Sequence, residues 1–477
     1  MSVARNTASL LVASVLQKVL AFAYFAVIAR LAGVEDTGIY FFALSWTLMF
    51  SIITDLGLTS VLIREIARDR ARAETTLNQV LSLKAPLIAL GMAVSIAAAY
   101  LTGTRGDTLL MVALGSCVLA FDAISITFYG VLRGHHVLAY EGVGLVIGQL
   151  ITLVIGGFLL ATHAPLWLLM CAILAGSFWN AVASFVVVRM KLGIRPRFSW
   201  NRALALTIMK TAIPFGLAGA FVKIYTNVDV VLLTKLAGTT AAGLYSVPYK
   251  LTFAFQFIPM AFTAALFPAM SRAYAEDKTK LGDLLYKALW ALSIIVAPII
   301  AGLVALGPEI VHTIYGDAYA ASILPTQWLV FTLIFIFLDF PIGSLLNGSD
   351  RQATQTMLMG IAMVVSLVLN LVLIPILGVM GAVVASVVSH AVLMFGGLIA
   401  INRFLDWPRL KFLSLSVRVA IAATAMGATV WIAKTHLPFI ASIVLGALAY
   451  TLFSFVFRTV SMTDLRDLAS RVLKRAV

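Results

Sequence analysis

Apolar runs of about 20 residues, long enough to cross some 30 Å of hydrocarbon as a helix, recur from Ala8 to Phe457 with only short polar or Gly/Pro breaks. Read between those breaks, the pattern predicts helices over 8–31, 39–63, 80–101, 108–132, 139–162, 166–189, 211–236, 244–268, 285–308, 325–347, 355–376, 379–402, 414–434 and 438–458. Backbone groups inside a bilayer must bond to one another, and loops this short cannot fold outside it. The expected fold is therefore an all-α polytopic membrane bundle of about 14 transmembrane helices rather than a barrel. No stretch remains for a soluble catalytic or nucleotide-binding domain.

Composition agrees: 62% of the 477 residues are apolar and 11% charged, against roughly 45–50% and 25% in soluble domains. The formal charge of +14 does not point to nucleic acid, because its placement reads as orientation. With the amino terminus in the cytoplasm, cytoplasmic segments hold 25 Lys or Arg and the outer ends only Arg30, Arg105, Lys235 and Lys434. An even number of spans returns the carboxyl terminus to the same side. The clusters Arg64, Arg68, Arg70, Arg72 and Arg189, Lys191, Arg195, Arg197 read as topology signals touching anionic lipid. Lys18 interrupts the first apolar run and the helix continues to Leu31, which argues against a cleaved signal peptide.

Enzymatic chemistry finds no foothold. Cys117 and Cys171 both lie in spans, so neither a disulfide framework nor a metal site is expected. The chain has no Walker loop and no His-Glu-x-x-His pair. Gly142-x-Gly144-x-x-x-Gly148 has the wrong spacing for a dinucleotide loop and reads as a close-packing helix face.

An internal repeat organises the rest. Arg30-Leu31-Ala32-Gly33 and Gly38-Ile39-Tyr40 recur 205 residues later as Lys235-Leu236-Ala237-Gly238 and Gly243-Leu244-Tyr245, with five of eleven positions identical. Six helices separate the copies, which keeps them in one orientation. The expected plan is an N-lobe (1–200) and a C-lobe (201–408), related by a pseudo-two-fold along the membrane normal, plus helices 13–14 and a cytoplasmic tail (409–477). The interface of such parallel repeats is the expected substrate site of a transporter.

The same offset carries Lys18 onto Lys223, and Lys18 lies 12 residues, about 18 Å of helix, from Arg30. Looser alignment pairs Lys84 with Lys287 and Asp122 with Asp339. Ionised groups at mid-membrane usually line a wet cavity or find a partner. Lys84, Lys287 and Arg418 sit near cytoplasmic ends and are expected to snorkel. Asp229 and Lys250 lie at similar depth on adjacent helices, and both an ion pair and a substrate role are open to them. Lys18 and Lys223 have no acidic neighbour at their own depth, being far from Asp229 and Asp55, and are the expected head-group ligands, with Tyr225, which shares a helix face with Asp229, open to sugar contact or to packing. The unpaired excess is positive, so the cavity should attract an anion, a diphosphate better than a neutral sugar. Asp55, Asp122 and Asp339 have two open roles, pairing with the lysines or binding a coupling H⁺ or Na⁺. Pro341 is expected to kink span 10 beside Asp339. Gln17, Gln149, Asn180, Gln256, Asn370 and His390 read as interhelical hydrogen-bonding groups.

The motifs Asn6-Thr7-Ala8, Ile28-Ala29-Arg30-Leu31, Gly38-Ile39-Tyr40, Asp55-Leu56-Gly57 and Arg64-Glu65-Ile66-Ala67-Arg68 resemble the amino-terminal region of the Wzx-type polysaccharide flippases. Those belong to the superfamily of multidrug and lipid II exporters. Asp229-Val230-Val231-Leu232-Leu233 with Ala242-Gly243-Leu244-Tyr245-Ser246 is similar to the family's second-lobe pattern. The resemblance implies a multi-pass protein of the inner membrane that moves an undecaprenyl-diphosphate-linked oligosaccharide to the outer leaflet by alternating access. It implies no cofactor beyond a coupling ion, and as partners the lipid-linked substrate, membrane lipids, and a glycan polymerase and glycosyltransferases. In relatives with two extra helices, these adjoin a groove suited to the lipid tail. Two other readings are a cation-coupled multidrug exporter, which Lys18 disfavours by repelling a cationic drug, and a non-transporting scaffold for glycan assembly.

Overall fold

A computed structural model describes residues 3–460, with side chains from Ser9 onward apart from Leu11. The remainder of the expected cytoplasmic tail, 461–477, and the side chains of the Asn6-Thr7-Ala8 motif lie outside the described residues. Among the described residues the regular structure is helical throughout. Twelve helical stretches are long and apolar enough to cross a membrane, or thirteen if one pair bent by 42° counts as a single span.

The first helix, α1 (Val3–Asp55), is continuous by hydrogen bonding but contains Gly33 at φ 84°, ψ 178°. The chain folds back there. Tyr24 and Tyr40 would lie about 24 Å apart along a straight helix, yet their rings are 6.5 Å apart, and those of Phe25 and Phe41 6.2 Å. The single stretch Val12–Asp55 thus holds both of the first two predicted spans. Only glycine tolerates this backbone conformation without strain.

Further elements are α2 (Leu58–Arg68), α3 (Ala73–Leu101), α4 (Gly106–Gly134), α5 (Ala139–Ala161), α6 (Leu168–Leu192), α7 (Arg202–Ala237), α8 (Thr239–Phe253), α9 (Phe257–Glu276), α10 (Lys278–Ala305), α11 (Gly307–Tyr315), α12 (Ile323–Leu329), α13 (Thr332–Gly348), α14 (Gln352–Leu377), α15 (Val379–Asn402), α16 (Arg409–Ala433) and α17 (Phe439–Val456). Polar residues start two of them: Asn201 caps α7 through the Leu204 N–H, and Asp277 caps α10 through the Thr279 N–H. The Lys280 and Thr279 N–H groups hold the Asp277 carboxyl below its ordinary range.

The structure corrects three sequence expectations. Predicted span 39–63 is broken at Leu56 (φ 43°) and Gly57 (φ 82°), between α1 and α2. Predicted span 244–268 is divided between α8 and α9, separated by a short 3₁₀ turn at Ala254–Gln256. Span 10 bends between α12 and α13, at the break after Leu329, whereas α13 runs as one helix through Pro341.

The chain divides into two compact units, Met1–Ser246 with Met359–Ala385, and Val247–Leu358 with Ser386–Val477. In the first unit, α4 packs on α6 and α1 on α5, while α5 also meets α6. Lipid supplies no hydrophobic drive between apolar helices, so close approach at small residues carries the packing. The Gly142, Gly144 and Gly148 face behaves as expected: a Cβ at Gly142 would stand 2.8 Å from Ala13 Cβ, and Gly144 and Gly148 press against Tyr129 and Asn180. Those two side chains bond to each other at 2.8 Å. In the second unit, α10 packs against α13 and α16, and α16 against α17.

The repeat is realised as a reciprocal contact within the first unit. A Cβ at Gly38 would collide with the Thr239 carbonyl oxygen, and one at Gly243 with the Val34 carbonyl oxygen. Val34 and Thr239 are themselves related by the 205-residue offset, so each copy touches the other through equivalent atoms. Gly33 and Gly238 also share one backbone conformation, at φ 84°, ψ 178° and φ 91°, ψ 171°.

Candidate functional site

Three polar clusters lie among the apolar helices of the first unit. The first sits at the α1–α2 break. Lys84 on α3 is 1% exposed and forms an ion pair with Asp55. Its ammonium also donates to the Thr59 hydroxyl at 2.9 Å and the Thr127 hydroxyl at 2.7 Å. Asp55 in turn accepts from the Gly57 N–H at 3.1 Å and from the Thr59 N–H and hydroxyl. All three ammonium protons have acceptors, so the cluster fastens a broken helix and presents no free donor. This overturns the expectation that Lys84 snorkels. Nor does its looser repeat partner share its setting, since Lys287 is exposed.

The second cluster is more open. Lys223 on α7 is half-buried and Asp122 on α4 is exposed. The two attract each other electrostatically, and Asp122 bonds to Ser177 on α6. Lys18 is exposed on α1, with no ion-pair partner among the described residues. Tyr225, one half-turn beyond Lys223, is 8% exposed.

The third cluster surrounds Asp229, which is 4% exposed. Its carboxylate accepts from the Tyr245 hydroxyl at 3.0 Å on α8, and from Ser366 at 3.3 Å and the Asn370 amide at 3.1 Å on α14. Ser366 and Asn370 are four residues apart and share a helix face. Asn370 thus bonds between helices, as its sequence reading expects; Ser366 and Tyr245 carry no site role in that reading, and a polar pair at i, i+4 on an otherwise apolar helix is the available signal for Ser366. At the repeat offset Asp229 corresponds to Tyr24, and Tyr24 contacts Tyr40 as Asp229 contacts Tyr245.

In the second unit, Asp339 on α13 has a buried Oδ1 with no hydrogen-bond partner among the described residues, close to Gly397 of α15. Lys250 is half-buried. His390 packs against the Phe253 ring at 5.8 Å. An apolar groove of about 700 Å³ runs between α10, α13 and α16, lined among others by Val296, Ile300, Phe331, Ala423, Gly427 and Trp431. No group of three or more His, Cys, Asp or Glu capable of holding a metal occurs among the described residues.

Comparison with known proteins adds family and fold. A family model described as polysaccharide biosynthesis protein matches residues 3–274, and one described as MatE matches 214–372. The chain is 21% identical over 399 residues to the "Probable low-salt glycan biosynthesis flippase Agl15" of Haloferax volcanii, covering 82% of each chain. It is 22% identical over 394 residues to the "Capsular polysaccharide biosynthesis protein CapF" of Staphylococcus aureus, covering 81% of this chain and 96% of that one. Among solved structures, the lipid II flippase MurJ in an inward closed conformation superposes with a TM-score of 0.77 at 16% identity, over 96% of this chain and 99% of that one. An inward-facing multidrug resistance MATE transporter gives 0.67 at 16% identity, over 81% and 95%. The fold is thus of the MurJ and MATE type.

Proposed function

Because the chain belongs to the polysaccharide biosynthesis protein family, whose members here are membrane transporters and not enzymes, we propose that it flips an undecaprenyl-diphosphate-linked oligosaccharide from the cytoplasmic to the outer leaflet. The observation that carries this reading is Lys223: an ammonium inside a span, half-buried, whose acid Asp122 remains exposed. An arriving diphosphate replaces Asp122 as its partner, and a phosphate charge 4 Å from one lysine gains about 4 kcal/mol at an effective dielectric of 20. Lys18, equivalent by the repeat, supplies the second cation, with Lys250 and Tyr225 as further head-group contacts. The lobes 1–200 and 201–408 rock about the pseudo-two-fold, a plan supported by the reciprocal Gly38 and Gly243 contacts. The lipid tail lies in the groove beside α16. Amino and carboxyl termini face the cytoplasm, as the basic segments favour.

The test is complementation of a glycan-export defect, together with movement of labelled lipid-linked glycan in proteoliposomes. Lys18→Ala with Lys223→Ala is expected to lower flipping at least tenfold at normal expression. Full activity in the double variant refutes the assignment.

Coupling is assigned to Asp229, with Asp339 as a second acid and Asp55 and Asp122 in pairing roles. Asp229→Asn preserves the shape of the Tyr245, Ser366 and Asn370 contacts but removes the charge. It is expected to abolish gradient-driven flipping while leaving the melting temperature near that of the parent. A variant that flips normally removes Asp229 from coupling.

The MatE match over 214–372 favours one second reading, export of organic cations driven by an ion gradient. Ionophore-sensitive efflux of a panel of cationic dyes would establish it over the flippase.

A further inference from the structure

The segment after α6 is bound to α3 in a regular way. Its backbone N–H groups at alternate residues 195, 197, 199 and 201 donate to Glu74, Asn78, Ser82 and Gln79, three of them at 2.7–2.8 Å. The segment's backbone is held, while the side chains of Arg195 and Arg197 stay exposed, with no acid in ion-pair range among the described residues. Phe198 and Trp200 are 78% and 65% exposed. Aromatic rings beside arginines are characteristic of the level of lipid head groups.

Directly behind this segment lies an apolar cavity of about 800 Å³ between α3, α4 and α6, walled by Ile88, Phe121, Phe128, Val182 and Phe185 and bordered by Arg197 and Phe198. Its depth follows from the helix ends. Phe128 and Phe121 precede Gly134 by six and 13 residues, about 9 and 20 Å of helix. The hollow therefore occupies the leaflet whose head groups meet the arginines. Lys84 and Thr127 also border it, but their polar atoms are committed to the Asp55 cluster, so the interior offers hydrocarbon contact only.

We propose that this cavity binds an anionic phospholipid, an acyl chain lying between α3, α4 and α6 and the phosphate resting on Arg195 and Arg197. Charge complementarity selects the lipid: the exposed Arg195 and Arg197 outnumber the one acid at the rim, Glu74, which faces the Arg195 N–H, so the net positive rim favours an anionic phosphate over the choline or ethanolamine cation of a zwitterionic lipid. A topology signal would need the arginines but neither the aromatic rim nor the hollow. The site belongs entirely to the first unit and is independent of the flippase reading.

The full-length protein is titrated with phosphatidylglycerol and, separately, phosphatidylcholine, and bound lipid is counted by native mass spectrometry. Phosphatidylglycerol is expected to be retained preferentially. Arg195→Ala with Arg197→Ala should weaken its retention about tenfold, and leave residual binding without headgroup preference. Ala85→Trp, placed on an exposed position of the cavity wall, should abolish retention of the chain at this site, with the melting temperature of each lipid-free variant reporting that the fold persists. Equal retention of the two lipids by the parent overturns the proposal. So does a preference untouched by the arginine pair, or by the tryptophan plug, in a variant that melts like the parent.

Discussion

Lys84→Met is expected to destabilise the protein by about 3 kcal/mol, the lower end of the range for removing one partner of a buried ion pair. The side chain leaves behind the Asp55 carboxylate and the Thr59 and Thr127 hydroxyls, all of which it serves. Asp55 keeps 27% of its side-chain surface accessible, so water softens the loss. Pairing the change with Asp55→Asn removes the stranded charge and should recover most of the stability, giving a coupling energy of opposite sign to the single effects. Melting of the detergent-solubilised single and double variants decides. Should Lys84→Met melt like the parent yet fail to transport, the pair acts in the transport cycle and does not fasten the helix break.

The second large effect belongs to the hairpin contact. Gly243→Ala places a methyl against the Val34 carbonyl, and Gly38→Ala one against the Thr239 carbonyl and 2.8 Å from the Gly243 nitrogen. Backbone cannot rotate aside as a flexible side chain does, so the hairpins must separate. Each single change is expected to reach or exceed the upper end of the roughly 1–3 kcal/mol that overpacking costs. Both changes strain the same interface, so the double variant should cost less than the sum. Strict additivity in melting would show that the two glycines do not meet in the working molecule.

Much of this architecture was legible because bilayer helices announce themselves by length, and because the duplicated hairpin left glycines and a tyrosine at a fixed offset. Gly33 and Gly238 could be placed in turns from sequence, and Gly142, Gly144 and Gly148 on a packing face. What stayed hidden depends on which helix faces meet. Lys84 is near a helix end, and depth alone suggested an escape to water; its partner lies 29 positions earlier, beyond a break that hydropathy does not register. Asp229 finds Ser366 and Asn370 at separations of 137 and 141 residues, distances no local periodicity spans. Lys223 and Asp122 could be flagged as costly charges, but only coordinates bring α4 and α7 into electrostatic reach.

The correspondence of Tyr24 with Asp229 has a consequence for symmetry. The two hairpins match in backbone conformation at Gly33 and Gly238 and meet through equivalent atoms, yet one holds a phenol where the other holds a carboxyl group. The likeness of the two copies in backbone is thus not carried over into their charge. A small cation would meet an anionic ligand at one seat of the pair and only a neutral phenol oxygen at the other, a difference of charge where the two backbones are alike.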